Sequence, residues 1–380
     1  MCRHGVIIPE ILVIARLVTL LVTLATAAAA AASSPARIVG GSSPAIMAAS
    51  TQPKPLGGVP LTGSTGLRLL VANAPPFLLD VDTGRITHIS GLNVRGHPVL
   101  TVLAAGKDAI VWLCCCAHAT KIPRAEIYVV RRGAKSATRL ATAWEVAPAA
   151  DGLAVWLKAY ADARHCILRE VALDGSERQS PRPVPCSTQL IDAGTGAVLI
   201  EGRAVVDLST GETLLDANRL WAMVGDFTVT TEGSQGPLTL TDLRSGERWR
   251  LRYPSRIGGQ GGTDEAAVQR KGQLVALSFS DPAYQLSGKQ VTDVWLLDPA
   301  VRRFRHLPDM PAAVSLKFTS MSWASDGRLV MLAETDQRNV VAVWRPGRQR
   351  ISVRPMRLPA RNSGSDAFVV WVGRSVAMKR

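Results

Sequence analysis

Val205-Val206-Asp207-Leu208-Ser209-Thr210-Gly211-Glu212-Thr213-Leu214-Leu215 reads as strand, tight turn, strand. Apolar residues lead in, an Asp sits near the end of the first strand, and a Thr-Gly pair reverses the chain. Glycine supplies the positive φ that tight hairpin turns need. Close copies are Leu78-Leu79-Asp80-Val81-Asp82-Thr83-Gly84-Arg85-Ile86 and Leu240-Thr241-Asp242-Leu243-Arg244-Ser245-Gly246-Glu247-Arg248. Looser ones end at Gly133, Gly175, Pro299 and Gly347. The turns are spaced by roughly 35 to 55 residues, the range of one four-stranded propeller blade with varied loops.

A second series lies upstream of the turns: Leu67 to Val71, Ala109 to Leu113, Leu153 to Leu157, Ala197 to Ile200, Leu220 to Val224, Gln273 to Leu277 and Leu329 to Leu332. Two interleaved series of equal count predict an all-β, seven-bladed β-propeller, with six or eight blades as alternatives. Its expected span is 67–373, followed by a short tail, 374–380. Leu67 to Ser90 supplies only the last three strands of a blade. Asp366 to Gly373 is one strand with no hairpin after it. This orphan strand is expected to complete the first blade, closing the ring and removing the exposed edges at the seam.

Residues 1–32 read as a signal peptide or N-terminal anchor helix. Arg3 and His4 open a polar start, Ile11 to Ile14 and Leu17 to Leu24 are apolar, and Ala27 to Ala32 offers small-x-small cleavage sites. Residues 33–66, rich in Ser, Pro, Gly and Ala, read as a disordered linker. Within it, Arg37-Ile38-Val39-Gly40-Gly41 matches the activation junction of trypsin-like proteases, but the rest of that pattern is missing.

The 380 residues are 47% hydrophobic, ample for a large core. Lys and Arg total 44 against 30 Asp and Glu, a formal charge of +14. A basic surface favours anionic partners. The arginines are spread over strands and turns, with no dense basic run interleaved with aromatics, so nucleic acid is not an expected partner.

Met321-Ser322-Trp323-Ala324-Ser325-Asp326-Gly327-Arg328-Leu329-Val330 resembles the Trp-Ser-Pro-Asp-Gly unit of TolB-like and WD40-like propellers, with Ala324-Ser325 in place of Ser-Pro. The Asp-x-x-Thr-Gly turns at Asp80 and Asp207 resemble those of YncE-like and quinoprotein-like propellers. The resemblance implies the fold and carries over no functional residue, because propellers share architecture more than chemistry.

Cys114, Cys115, Cys116, Cys166 and Cys186 are disulfide candidates. The expected pattern is one or two bridges from the Cys114–Cys116 group to Cys166 and Cys186, stapling neighbouring blades. Cys114, Cys116 and His118 would share one strand face, half of a metal site, but no second cluster lies nearby in sequence. No metal ligands and no cofactor are therefore assigned. Trp112, Trp156 and Trp371 recur at similar places in aliphatic strands, which points to packing between blades. Trp249 and Trp344 lie in hairpin strands and are expected to be partly exposed.

No catalytic residue can be named. The chain lacks a Gly-x-Ser-x-Gly elbow, a His-Glu-x-x-His pair, a P-loop and a dinucleotide fingerprint. Gly258-Gly259-Gln260-Gly261-Gly262, followed by Thr263-Asp264-Glu265, reads as a flexible loop. Cys115 to Glu126, Arg252 to Gln269 and Ser280 to Val291 read as long insertions at the faces of the ring, where partners bind. The expectation is an exported, extracellular or envelope-located bacterial scaffold that binds a protein or envelope polymer through its loop face. It would touch membrane only through an uncleaved N-terminal segment. The alternative is a propeller enzyme, a lyase or hydrolase similar to the streptogramin-inactivating propellers, with a His and acids at the central mouth.

Overall fold

A computed structural model of the chain describes residues 54–94, 99–113, 125–162, 164–233, 237–251, 262–270, 273–280, 289–315, 319–335, 338–360 and 366–373. The expected signal segment, most of the expected linker, Cys114–Cys116, His118, the Gly258–Gly261 run and the tail 374–380 lie outside the described residues.

The strands form seven sheets, one per blade. Blade 1 contains Leu67–Val71, Phe77–Asp80 and Ile86–His88, with Phe368–Val372 as its innermost strand. Blade 2 runs from Val99–Ala105 to Ala137–Ala143, blade 3 from Glu145–Pro148 to Arg182–Pro185, and blade 4 from Gln189–Asp192 to Thr213–Asp216. Blade 5 runs from Arg219–Val224 to Arg248–Leu251. Blade 6 runs from Gly262–Val268 to Arg303–His306, with Ala312–Ser315 pairing onto its third strand. Blade 7 runs from Thr319–Trp323 to Ser352–Met356. The count is seven, not six or eight.

The repeated turn is the hairpin between third and fourth strands. At Asp80, Asp207 and Asp242 the same bonds recur. The Asp side chain accepts backbone N–H groups inside the turn, from Thr83 (3.0 Å), Ser209 (2.7 Å) and Arg244 (2.9 Å). The Asp carbonyl accepts the turn glycine's N–H at 2.8 Å in each. Those glycines have φ of +71°, +77° and +73°, where a β-carbon would be strained. The turn Asp is thus a structural residue.

The second series matches the second strand of every blade but one. Leu220 to Val224 belongs to the innermost strand of blade 5, whose second strand is Phe227–Thr231. That strand buries Thr228, Thr230 and Thr231 where the other blades bury aliphatics, so its apolar signal is weak.

Strand alternation explains the ring. In Leu67–Val71, Leu67, Leu69 and Val71 pack against blade 7, while Leu70 packs against blade 2. Each of the seven interfaces between neighbouring blades holds its own apolar cluster. Blades are buried on both faces, so their strands read as continuous apolar runs. Trp156 and Trp371 are buried in such interfaces and Trp112 is partly buried in another. Trp344 is buried too, against expectation, because its Nε1 donates to the Arg348 carbonyl at 2.9 Å and its ring joins the cluster between blades 6 and 7.

Closure follows the expected scheme. Phe368–Val372 pairs antiparallel with Leu67–Val71, and its side chains divide between the clusters facing blades 7 and 2. The N-terminal side adds a second tie. Val59–Pro60 pairs in parallel with Ser352–Val353 on the outer edge of blade 7, and Leu56 is only 5% exposed. The end of the Ser/Pro/Gly-rich stretch is therefore built into the ring. Arg354 holds it there, donating to the carbonyls of Leu61 (2.7 Å), Gly63 (3.0 Å) and Val81 (2.8 Å) and to Asp82 (3.1 Å). Asp82 also accepts from Ser64, from both the backbone and hydroxyl of Thr65, and from Gly66. Partial burial pushes this carboxyl up, but the donors outweigh it and hold Asp82 far below the usual carboxylate range.

The disulfide differs from expectation. Cys166 bonds to Cys186 within blade 3, with Cα atoms 5.0 Å apart, so neither is free to bridge to Cys114–Cys116. The register explains it. Cys166 lies opposite Val184 on the outermost strand pair of blade 3, and Cys186 follows directly after that outer strand. Beside it Lys158 is fully buried, paired with Glu145 at 3.0 Å and donating to the Thr188 carbonyl.

Candidate functional site in the central cavity

A cavity of about 920 Å³ lies on the ring axis and takes lining residues from every blade. The inner strands of blades 1, 2, 6 and 7 form most of its wall. Asp151 and Gly152 of blade 3, Asp192 and Gly194 of blade 4, and Trp221 of blade 5 complete it.

One end is made by hairpins joining first to second strands. The ring is tight here. A β-carbon on Gly152 would collide with the Gly106 backbone, and one on Gly194 (φ +96°) with the Val268 side chain. Arg270 reaches across from blade 6 to donate to the Ala104 carbonyl of blade 2 at 3.1 Å, and lies 3.9 Å from Asp192 of blade 4. Burial raises the Asp192 carboxyl against the opposing pull of Arg270 and the Gly194 N–H. Lys107 and Arg132 are exposed at this rim, and Leu153, in the same turn as Asp151 and Gly152, is 61% exposed.

The wall also carries acids that sequence reading missed. Thr263-Asp264-Glu265 is not a loop but part of blade 6's inner strand, Gly262–Val268. The register with the second strand shifts between Thr263 and Glu265, so Asp264 is an extra residue in a bulge. A bulge re-aims side chains, and here adjacent acids line the same cleft between blades 6 and 7. Glu265 crosses to blade 7, where its Oε1 accepts Ser320 Oγ (2.8 Å) and Met321 N (3.3 Å). Asp366, just before the closing strand, accepts Thr319 N at 3.0 Å. Acids from blades 6 and 1 thus flank one short segment of blade 7.

Burial, reinforced by the charges of Asp366 and Asp264, pushes Glu265 up to about 8 against the bonds from Ser320 and Met321. Burial also raises Asp264, opposed by its bond with Gln290 and the charge of Arg219. Glu265 is thus a carboxyl that keeps its proton at neutral pH. The sequence signal was an Asp-Glu pair leading into the alternating Ala266-Ala267-Val268, masked by the glycine run before it.

The described histidines lie away from the cavity lining. His165 is exposed and pairs with Asp162 at 2.7 Å, and His88 ends an outer strand beside Phe77. His306 meets the fully buried Asp293 at 2.6 Å and packs on Trp295 in blade 6. Among the described residues, no group of three or more His, Cys, Asp or Glu side chains is arranged to hold a metal ion. Also among them, no helix is long and apolar enough to cross a membrane.

No family model matches the chain, and no curated protein does. Solved structures do. Prolyl oligopeptidase B from Galerina marginata aligns with 80% of this chain at 11% identity and a TM-score of 0.50, and this chain spans 51% of that one. A protein from Lactobacillus plantarum aligns over 80% of this chain and 98% of its own at 10% identity and TM-score 0.50. The β-propeller domain of the Trilobed protease from Pyrococcus furiosus aligns over 81% of this chain and all of its own, at 12% identity and TM-score 0.49. At these identities the likeness concerns the fold.

Proposed function

We propose that this chain is an exported, TolB-like or YncE-like propeller that binds an acidic protein or envelope polymer on the hairpin end of its ring, without chemistry on the partner. The observation that carries the reading is the rim itself. Lys107, Arg132 and Leu153 are all exposed at this end of the ring, in a chain with a formal charge of +14. Exposed cations and an exposed aliphatic at the same end of the ring suit a partner that is acidic with an apolar anchor. The Cys166–Cys186 bond supports export, since disulfides persist in oxidising compartments.

The test is capture from an envelope extract by the immobilised full chain. A Lys107→Glu/Leu153→Ser variant changes two exposed side chains and should fold normally. The expected result is a salt-sensitive partner held by the wild type and lost by the variant. Capture of the same species by both would refute the reading.

A second reading, a propeller enzyme at the central mouth, draws on Glu265 and its acidic neighbours. A protonated acid beside carboxylates is a recurring acid–base arrangement. Elemental analysis bears on it, because the metal-assisted lyase or hydrolase form requires a stoichiometric divalent metal in the purified protein.

A further inference from the structure

A second pocket, of about 560 Å³, lies at the outer edge of blade 7 and shares no lining residue with the central cavity. Its volume is within the range of small-molecule sites. One wall is the N-terminal arm, residues 59–65, which pairs with the outer strand Ser352–Met356. The other is the turn between the third and fourth strands of the blade, residues 345–350. Arg328 also lines it. That residue is 3% exposed, and its guanidinium reaches from Asp326 to the Thr65 carbonyl (2.9 Å), tying blade to arm.

Both walls are fixed in place. Arg354 and Asp82 hold the arm. In the turn, Trp344 Nε1 donates to the Arg348 carbonyl at 2.9 Å, the Arg348 N–H donates to the Arg345 carbonyl at 3.0 Å, and the Ile351 N–H donates to Asp309 at 2.8 Å. A preformed wall spares a ligand the cost of ordering it.

The lining holds four arginines, Arg328, Arg345, Arg348 and Arg350, and among the described residues no acid. The acids behind it are already matched. Asp326 pairs with Arg328 at 2.6 Å, Asp309 with Arg350 at 2.7 Å, and Asp82 with Arg354 at 3.1 Å. Glu334 and the turn after it stand at the opposite end of the blade's strands. The sequence before Lys54 contains one acid, Glu10. Arg345 is near enough to act on Asp326 electrostatically, which sets it beside the Arg328 pair. The side chains of Arg345 and Arg348 are exposed, and among the described residues neither has an ion pair or a hydrogen bond. Thr62 and Ser352 add hydroxyl donors, Val59, Pro60 and Val343 add an apolar strip, and no aromatic side chain lines the pocket.

We propose that this pocket binds a chain of linked phosphate groups, inorganic or carried on a short polyol, with Arg345 and Arg348 as its principal contacts. A guanidinium is a planar fork of donors that engages phosphate oxygens two at a time. Two uncompensated guanidinium groups on one turn match a ligand with more than one anionic group. Hydroxyls add donors without adding charge, and the apolar strip suits the carbon backbone of a polyol. Nucleic acid fits poorly, because its bases need an aromatic platform. A flat bilayer fits poorly too, because the pocket is walled on two sides. The site does not involve Lys107 or Leu153 and stands independently of the rim reading.

The experiment is calorimetric titration of the full chain in dilute salt with sodium tripolyphosphate and with fructose 1,6-bisphosphate, and with citrate as a carboxylate control. Saturable single-site binding that weakens as salt rises is expected for the phosphates. The tighter of the two names the source, an inorganic chain or a phosphorylated polyol. Arg345→Ser/Arg348→Ser removes two exposed, unpaired side chains, so it should fold as the wild type does and bind about tenfold more weakly. Arg248→Ser/Arg250→Ser removes the same charge from the outer strand of blade 5 and should bind as the wild type does. So should the rim variant Lys107→Glu/Leu153→Ser, which separates this site from the rim. The proposal is overturned by no saturable response to either phosphate, by unchanged affinity in Arg345→Ser/Arg348→Ser, by an equal loss in Arg248→Ser/Arg250→Ser, or by equal affinity for citrate. Sedimentation with phosphatidylglycerol vesicles, without a response to the soluble phosphates, would also overturn it and assign the arginines to a membrane surface.

Discussion

The seam between blades 7 and 1 and the cleft between blades 6 and 7 both bury a carboxylate between blades, and they treat it in opposite ways. At the seam Asp82 collects donors from Ser64, Thr65, Gly66 and Arg354 and is held as a strongly stabilised anion. In the cleft Glu265 has two donors on one oxygen and two acidic neighbours, and keeps a proton up to about pH 8. The difference is one of depth and donors together: Glu265 is the more deeply buried and receives fewer donors. A carboxylate surrounded by N–H, O–H and guanidinium groups locks a joint. One buried beside other acids keeps its proton instead.

The largest effect should come from removing the closing strand. Ending the chain before Phe368 bares the edge of Leu67–Val71 and the apolar faces of blades 1, 2 and 7. Loss of a single cooperative thermal transition, with binding of a hydrophobic dye, is expected. Retained cooperative unfolding would mean the seam is held by other ties. Next, Asp82→Ala leaves Arg354 without its carboxylate and should cost about 3 kcal/mol by urea unfolding at neutral pH. The contribution of Asp82 is full above its unfolded pKa of 3.8 and is lost as pH falls below it, so the wild type and the variant should converge in acid.

Breaking Cys166–Cys186 by a double Ser substitution frees a loop spanned by a sequence separation of 20 and should cost about 3 kcal/mol on loop-entropy grounds. The cleft should give a pH signature opposite to that of the seam. Glu265 has its pKa raised from 4.5 to about 8 on folding, so its proton favours the folded state most below pH 4.5, and that contribution is lost as pH rises through about 8. Glu265→Gln should match the wild type in acid and exceed it in alkaline solution, by urea unfolding across that window. Parallel stability curves would show that Glu265 titrates normally.

The same contrast marks what the sequence reveals. The turns at Gly84, Gly133, Gly175, Gly211, Gly246, Pro299 and Gly347 all join third to fourth strands, and at Asp80, Asp207 and Asp242 local Asp–backbone bonds and a glycine at positive φ leave their mark within five residues of chain. The orphan strand at Phe368 was legible as an apolar run with no hairpin after it. The second strand of blade 5 was not, because Thr228, Thr230 and Thr231 stand where aliphatics were sought. The Cys166–Cys186 pairing depends on strand register, which cysteine spacing does not encode. The acidic cleft was hidden most deeply. Asp264 and Glu265 follow a glycine run that reads as loop, their partner Asp366 is about a hundred residues away, and only the ring brings the three together.

The most direct measurement is a carbon-13 NMR titration of the side-chain carboxyls in the full chain, with Glu265→Gln for assignment. One carboxyl titrating near pH 8, absent from the variant, is the expected result. A Glu265 resonance that finishes titrating below about pH 5, as an ordinary glutamate does, would contradict the account, leaving the cleft as stably ionised as the seam.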